Sequence, residues 1–392
     1  MTPFADAIQP ALPDDAAAAA LAGRVWRPDR AGPAVVAIRD GNVFDISATA
    51  PTMRDLAESA HPAAALRAAA GEPLGPLAPI LANTPPDRRD AARPWLLAPC
   101  DLQALKACGV TFPLSMLERV IEERARGDAA AADAIRTEVQ RLVGNDLASL
   151  KPGSPAAIDL KSVLIAQGAW SQYLEVGIGP DAEIFTKAQP LSAVGTGMDA
   201  GVLPASTWNN PEPEVVLVIA SSGRIVGATL GNDVNLRDIE GRSALLLSKA
   251  KDNQASTAIG PFIRFFDGAF GLDDVRRMEV ALTVAGEDGF VLQGNSSMTR
   301  IARDPEDLAG QLLNANHAYP DGAMLFLGTM FAPTQDRDAP GKGFTHRSGD
   351  VVTIAAPRLG RLVNRIRPTD ACERWTFGAA ALMRNLARRG LL

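Results

Sequence analysis

Apolar residues along the chain switch between helical and strand-like spacing, and the switches outline its organisation. Residues 1–20 show no clear period and read as a loose leader of Ala, Pro and Asp. The run from Pro33 to Ser47 holds two apolar stretches joined by Asp40-Gly41. That pair favours a tight hairpin, because Gly accepts positive φ without a Cβ clash. Ala- and Leu-rich residues from Met53 to about Ala70 predict helix, and the Pro-rich stretch between Gly71 and Pro94 reads as a linker. Together these outline a small α/β N-terminal domain over residues 1–95, followed by a second domain over 96–392.

Phe112 to about Val143 predicts a long helical region, with Leu117, Val120, Ile121, Ile135, Val139 and Leu142 as its apolar positions. The Ala-rich part around Ala129–Ala134 is a good helix former with no further meaning. From Ser162 the pattern changes to short strands punctuated by Gly and Pro. Val215–Ala220 and Ile225–Leu230 flank Ser221-Ser-Gly-Arg224, and Met278–Val284 and Phe290–Gln293 flank a Gly/Glu/Asp turn. Asp304-Pro-Glu-Asp307 opens a helix, with Asp as N-cap, Pro in the first turn and acids where the helix dipole favours them. Gly349–Ala356 is another strand. Many short strands with occasional helices point to a β-rich roll or barrel.

Composition narrows the class. With 392 residues, 47% hydrophobic and 21% charged, the chain has ample apolar material for a core and is too long for one compact domain. Thirty-nine Lys plus Arg against 45 Asp plus Glu give a net charge of -6. This leaves no electrostatic case for nucleic acid or an anionic membrane as partner, and predicts a soluble protein. The N-terminal stretch carries Asp6, Asp14 and Asp15 without an early Lys or Arg, unlike a signal peptide, and no apolar run reaches the ~18 residues of a membrane span. A cytoplasmic location is the resulting expectation. Cys100, Cys108 and Cys372 form no CxxC pair, and His61, His317 and His346 are the only imidazoles. Any metal chemistry therefore has to rest on oxygen ligands.

The segment that carries chemistry is Asn210-Pro-Glu-Pro-Glu-Val-Val-Leu-Val-Ile-Ala220, continuing to Gly231-Asn-Asp233. Glu212 and Glu214 lie two apart at the head of a strand and so project from one face. If the Ser221–Arg224 turn pairs Ala220 with Ile225, Glu212 falls opposite Asp233, and opposed residues share a face. Three carboxylates then converge on one point. A Glu-x-Glu at a hairpin end is most often solvated, but here both strands are apolar on both faces, which predicts a central, buried hairpin. Anions gathered there repel unless a cation sits among them, and Mg²⁺, a hard ion that takes carboxylate and water oxygens, is the natural candidate, with Mn²⁺ as its substitute. Lys251 follows about twenty residues after Asp233 and leads into Ile259-Gly-Pro261. A lysine near such a centre holds an oxyanion or moves a proton.

These residues, in this order, resemble the fumarylacetoacetate hydrolase superfamily. Glu-x-Glu, Gly-Asn-Asp with Arg237-Asp238 behind it, and Lys before Ile-Gly-Pro are its central features. Gln293-Gly-Asn-Ser-Ser-Met298, Leu327-Gly-Thr329, Gly349-Asp-Val-Val and Leu359-Gly-Arg-Leu-Val-Asn364 resemble its later segments, so the likeness covers roughly residues 100 to 367. It implies an α+β architecture, with a mixed β-roll catalytic domain beside the small N-terminal domain, and Mg²⁺ held by Glu212, Glu214 and Asp233. It also implies a homodimer or a dimer of dimers. The opening motif of that family carries a His-Glu dyad. The matching run Gly109-Val-Thr-Phe-Pro-Leu-Ser-Met-Leu-Glu118 keeps the glutamate as Glu118 and has Ser115 in place of histidine.

The variant Ala250-Lys251, then Ser256-Thr-Ala-Ile-Gly-Pro261, with Leu236–Leu247 before it, is similar to the sugar-acid dehydratases of that superfamily. The resemblance implies Mg-dependent dehydration of a 2-keto-3-deoxy-pentonate (xylonate or arabinonate) to 2,5-dioxopentanoate in pentose catabolism. It puts Lys251, Glu118 and Ser115 at catalytic positions, and Thr329, Arg237 and Lys251 against the substrate. The alternatives are a β-diketo acid (acylpyruvate-type) C–C bond hydrolase, which would need a base in place of the missing histidine, and a catalytically silent sugar-acid-binding member.

Overall fold

The computed structural model describes residues 4–9, 11–126, 128, 131–132, 135–136, 150–166, 168, 170–333, 335–339 and 343–392. Eleven strands form one mixed sheet. In spatial order they are Glu72–Pro76, Asn42–Asp45, Gly32–Arg39, Leu21–Arg27, Thr257–Phe265, Ile225–Asp233, Pro213–Ile219, Ala323–Phe326, Ala104–Gly109 and Glu183–Ala188, with Trp95–Leu97 branching from Leu21–Arg27. A second sheet of five strands runs Val291–Ser297, Glu279–Ala285, Val351–Ala356, Gly360–Pro368 and Asp199–Val202. The strands contributed by the first 95 residues extend the large sheet, because Leu21 and Ala22 pair with Arg264 and Ile263.

The alternation of side chains along Pro213–Ile219 explains how the two sheets meet. Val215, Leu217 and Ile219 pack with Leu282, Val284, Val352, Ile354 and Leu362 of the five-stranded sheet. Val216 and Val218, on the other face, pack with Met53, Leu56 and Leu66 from two N-terminal helices. Every residue of this strand is buried, as its two-sided apolar pattern predicts.

Most predicted elements are present. Asp40 (φ 50°) and Gly41 (φ 72°) form the turn between Gly32–Arg39 and Asn42–Asp45. Asp304 caps the helix Pro305–Leu312, its carboxylate accepting from Glu306 N at 2.9 Å. The Met53–Ala70 stretch is two helices, Met53–Glu58 and Pro62–Ala68, separated where Pro62 starts a new first turn.

Two expectations need correction. The Pro-rich stretch is no bare linker: Glu72–Pro76 pairs with Asn42–Asp45 at the sheet edge, and Leu77–Ala82 is a helix that buries Leu77, Ile80 and Leu81. Pro73 and Pro76 occupy an edge strand and Pro79 a first helical turn, where a missing N–H costs nothing. Residues from Ser162 do not begin a run of strands. They continue the helix Pro155–Ala166, which is followed by Gln172–Ile178, and strands resume at Glu183. The long helix predicted from Phe112 is Pro113–Ala125, closed by Arg126 in the left-handed region (φ 52°). Val139, Leu142 and most of Ala129–Ala134 lie outside the described residues. All three cysteines are free and buried. Among the described residues no helix is long and apolar enough to cross a membrane.

Candidate active site

The hairpin of Pro213–Ile219 and Ile225–Asp233 builds the centre of the site. Near the turn, Ile219 rather than Ala220 faces Ile225, but a bulge between Val218 and Ile219 restores the expected register. Pro213 pairs with Asn232 and Glu214 with Gly231. Asp233 N donates to Glu212 O at 3.1 Å, so the two residues sit opposite each other as predicted. Glu212, Glu214 and Asp233 are 5%, 2% and 1% exposed, and each offers a carboxylate oxygen within 4.8 Å of the other two. This set has the spacing and the hard oxygen donors that a divalent ion requires.

Cations from three other elements brace the triad. Lys251, at the end of the short helix Leu247–Lys251, donates from Nζ to Glu212 Oε2 at 2.7 Å and to Asp233 Oδ2 at 3.1 Å. Lys187 Nζ lies 3.2 Å from Asp233 Oδ1 and donates to Lys251 O at 2.5 Å. Arg119, on Pro113–Ala125, donates to Glu212 Oε1 at 2.6 Å. Glu214 accepts from Gly328 N at 2.7 Å. Burial, joined by the charges of Asp233 and Glu212, pushes Glu214 well above the usual carboxylate range. Burial works the same way on Asp233, but Lys251 and Lys187 outweigh it and hold that carboxyl below its ordinary value. On Lys251 burial opposes the charge, and Asp233, Glu212 and Glu240 overcome it, so its pKa lies above the lysine range.

A second layer of charge surrounds this core. Arg119 also pairs with Glu122 at 2.6 Å and with Glu240 at 3.0 Å, the latter contact too poorly aligned to count as a hydrogen bond. Arg237 donates to Glu122 at 2.6 Å, lies 3.3 Å from Glu118 and stacks over Trp208 at 4.3 Å. Arg136 grips Glu118 through both oxygens at 3.0 and 2.8 Å. Glu118, Glu122, Glu183, Glu212, Glu214, Asp233 and Glu240 thus share this region with Arg119, Arg136, Lys187, Arg237 and Lys251. Glu214, lifted by burial, has the Gly328 N–H as its hydrogen-bond partner, and a divalent ion at the triad would favour its charged form.

All the residues singled out in the sequence meet at one cleft. Ser115, Glu212, Glu214, Asp233, Lys251 and Thr329 line its inner chamber, and Ser115, Glu118, Arg237 and Thr329 line an adjoining one. Ser115 Oγ donates to Phe112 O at 3.0 Å, and Thr329 Oγ1 accepts from Phe331 N at 3.1 Å. Glu118 is buried, although Glu122 and Glu123 follow it closely in sequence.

Four site residues escaped the sequence reading: Arg119, Glu183, Lys187 and Glu240. Glu183, Phe185 and Lys187 alternate along Glu183–Ala188 and so share one face. Lys187 lies deep on Asp233, and the Phe185 ring is 5.7 Å from Lys251 Nζ. The Glu183 carboxylate folds over Gly109, where any Cβ would meet Oε2 at 2.0 Å. Burial first, then the charge of Glu240, lift Glu183 to about 7, against the opposing pull of Arg119 and Lys251. Opposite charges four residues apart, and so on one face of a largely apolar strand, were the available signal.

Residues 179–367 match the fumarylacetoacetate (FAA) hydrolase C-terminal family, so the resemblance read from the sequence is borne out over that span. The chain is 31% identical over 185 residues to a 2-dehydro-3-deoxy-D-arabinonate dehydratase of Saccharolobus solfataricus, covering 47% of this chain and 58% of that protein. It is 30% identical over 194 residues to a probable 2-keto-3-deoxyxylonate dehydratase of Haloferax volcanii, covering 50% and 63%. The chain therefore spans about three-fifths of these curated relatives. A solved 2-keto-3-deoxy-D-arabinonate dehydratase, complexed with magnesium and 2,5-dioxopentanoate, superposes with a TM-score of 0.61 at 20% identity over 89% of this chain and 99% of that one. At that identity the likeness establishes the fold.

Proposed function

We propose that this chain, whose residues 179–367 belong to the FAA hydrolase C-terminal family, is a divalent-metal-dependent sugar-acid dehydratase. Its proposed reaction converts a 2-keto-3-deoxy-pentonate, of the xylonate or arabinonate type, to 2,5-dioxopentanoate. The observation that carries this reading is the buried Glu212–Glu214–Asp233 triad, braced by Lys251. The names of the two curated relatives support the substrate class.

Mg²⁺ held by Glu212, Glu214 and Asp233, with Mn²⁺ as a substitute, would polarise the 2-keto group and so acidify C3. The chain's own residues do the rest. Lys251 offers its ammonium to the oxygen on which charge develops, and Thr329 orients the carboxylate. Removal of a C3 proton and departure of the C4 hydroxyl, which leaves as water with a proton supplied by the protein, give an enone. Loss of one C5 hydrogen and of the C5 hydroxyl proton, with C3 and C4 each gaining a proton, then isomerises the enone to the aldehyde. Glu183 has the chemistry to supply the proton for the departing hydroxyl. It is half-buried beside the cleft, where burial and then Glu240 lift it to about 7 against the pull of Arg119 and Lys251. Glu118, gripped by Arg136 and Arg237, is the second candidate for moving a proton.

One observation favours dehydration over C–C hydrolysis. The histidine of the family's His-Glu dyad, the group best matched to activating water near neutral pH, is missing: Ser115 stands in its place and bonds the backbone, and no histidine lines either chamber. The decisive experiment incubates the purified protein with Mg²⁺ and a panel of 2-keto-3-deoxy acids and acylpyruvates, following semialdehyde release against chain cleavage. Ready cleavage of acylpyruvates with the sugar acids untouched would overturn the proposal.

Two further outcomes follow from the proton-carrying groups. If Glu183 donates as the neutral acid, kcat/KM is full below about pH 7 and declines above it. Glu183→Gln, which cannot donate, should lower kcat by roughly a hundredfold or more and remove that limb. A limb that persists in the variant assigns the titration to another group. Glu118→Gln separates the other roles through exchange of the C3 hydrogens with D₂O. Loss of exchange makes Glu118 the C3 base, whereas exchange without dehydration makes it the acid for the leaving hydroxyl.

A further inference from the structure

Beside the triad, the cleft opens into the second chamber, a small cavity of about 20 Å³ that shares Ser115, Arg119, Glu212 and Thr329 with the first. One wall is a two-stranded ribbon in which Asn235 pairs with Asn210. Asn235 is 0% exposed and Asn210 is 3% exposed, and both line the chamber. Neither Oδ1 nor Nδ2 of Asn235 has a hydrogen-bond partner, and Asn210 Oδ1 has none either, while Asn210 Nδ2 donates to Pro211 O at 2.9 Å. A buried amide without a partner destabilises a fold, and native structures keep few of them. Two such amides side by side, facing one chamber beside a candidate reaction centre, mark a surface built for a ligand.

The chemistry of the wall narrows the ligand. Asn235 presents one acceptor and two donors, and Asn210 adds an acceptor. The charged groups nearby, Glu118, Glu122 and Arg237, already pair with one another. An ionic group entering the chamber would have to break those pairs, and an apolar group would leave the amides unpaired. A hydroxyl both donates and accepts without charge, so it satisfies them.

We propose that this chamber is a hydroxyl subsite, in which Asn235 and Asn210 bind the terminal CH₂OH of the sugar acid and select substrates that carry it. The proposal rests on the dehydratase reading, which puts the keto-acid end at the triad and directs the other end past Thr329 and Ser115.

The test compares 2-keto-3-deoxy-pentonate with 4-hydroxy-2-oxopentanoate, which has CH₃ in place of CH₂OH and keeps the leaving C4 hydroxyl. Wild type should favour the pentonate by roughly a hundredfold or more in kcat/KM, because a site built to bond a hydroxyl rejects the analogue that lacks it. Asn235→Leu should reduce that preference at least about tenfold. It should also hold or raise Tm, since an apolar side chain of similar size replaces an unpaired amide. A merely structural asparagine would do the reverse: Tm would fall and the preference would stay.

A second measurement needs no variant. The unreactive 5-hydroxy-2-oxopentanoate should inhibit wild type at least about tenfold more tightly than 2-oxopentanoate. Equal inhibition by the two, or equal turnover of the two substrates, overturns the subsite while leaving the dehydratase reading intact. Turnover of neither sugar-acid-type substrate, with cleavage of acylpyruvates instead, overturns both.

Discussion

Glu214→Ala should abolish turnover, by roughly a thousandfold or more in kcat/KM, while the metal-free protein should stay folded. The reason lies in how the three acids are partnered. Glu212 has Lys251 and Arg119, and Asp233 has Lys251 and Lys187. Glu214 has the backbone N–H of Gly328, and burial, joined by repulsion from Asp233 and Glu212, lifts its pKa. Removing it breaks no ion pair and relieves like-charge repulsion, so Tm without metal should hold or rise. The loss should show when metal is added. Mg²⁺ at a hundred times its Kd would stabilise the wild type by about 2.7 kcal/mol, and the variant should gain far less. Thermal melts with and without Mg²⁺, together with Mn²⁺ titration followed by electron paramagnetic resonance, measure both. Wild-type-like Mn²⁺ affinity in the variant, or Mn²⁺ located at Cys100 or His346 in soaked crystals, would refute an oxygen-only centre at the triad.

The triad was legible because a strand has a fixed period and a hairpin has a fixed arithmetic. Glu212, Glu214 and Asp233 converge for those reasons alone, and an error of one residue at the turn was absorbed by the bulge at Val218/Ile219. Central burial was legible too, from apolar residues on both faces of Pro213–Ile219. The surrounding cations were not. Arg119 comes from a helix 93 residues before Glu212, and Lys187 reaches Asp233 from the far end of the sheet order. Their side chains look like ordinary solvated charges until the fold encloses them. Arg237 was placed against the substrate by resemblance, and the structure shows its guanidinium occupied by Glu122, Glu118 and the Trp208 ring. The ordering of Gly71–Pro94 was missed because proline was read as a breaker, although an edge strand and a first helical turn both tolerate it.

Lys251→Met should lose both activity and stability, and the second loss could not be foreseen from the sequence, which suggests a variant with a nearly unchanged Tm. Lys251 is 2% exposed and donates to two buried carboxylates, at 2.7 and 3.1 Å. Methionine keeps the stem and removes the charge, leaving Glu212 and Asp233 under-compensated. Breaking a buried pair from one side costs about 3–5 kcal/mol, so the metal-free variant should melt well below the wild type. Asp233 sets the pH sense of this loss. Its carboxyl is held below the ordinary value by Lys251 and Lys187, against the effect of burial. The pair's stabilisation is therefore present above the usual carboxylate range and fades as pH falls through the lowered value. Wild type and variant should differ most near neutrality and converge in acid. Mg²⁺ would supply positive charge at the same carboxylates and should recover part of the lost Tm, but it would not replace the ammonium in the role proposed for it at the substrate oxygen. At saturating Mg²⁺ kcat should stay roughly a hundredfold or more below the wild type. Lys251→Met/Asp233→Asn supplies the control: it removes one of the two under-compensated charges, so it should regain stability without regaining kcat. Near-normal kcat in Lys251→Met at saturating Mg²⁺ would reduce Lys251 to a structural counter-ion and move the oxyanion role to Arg119 or Lys187.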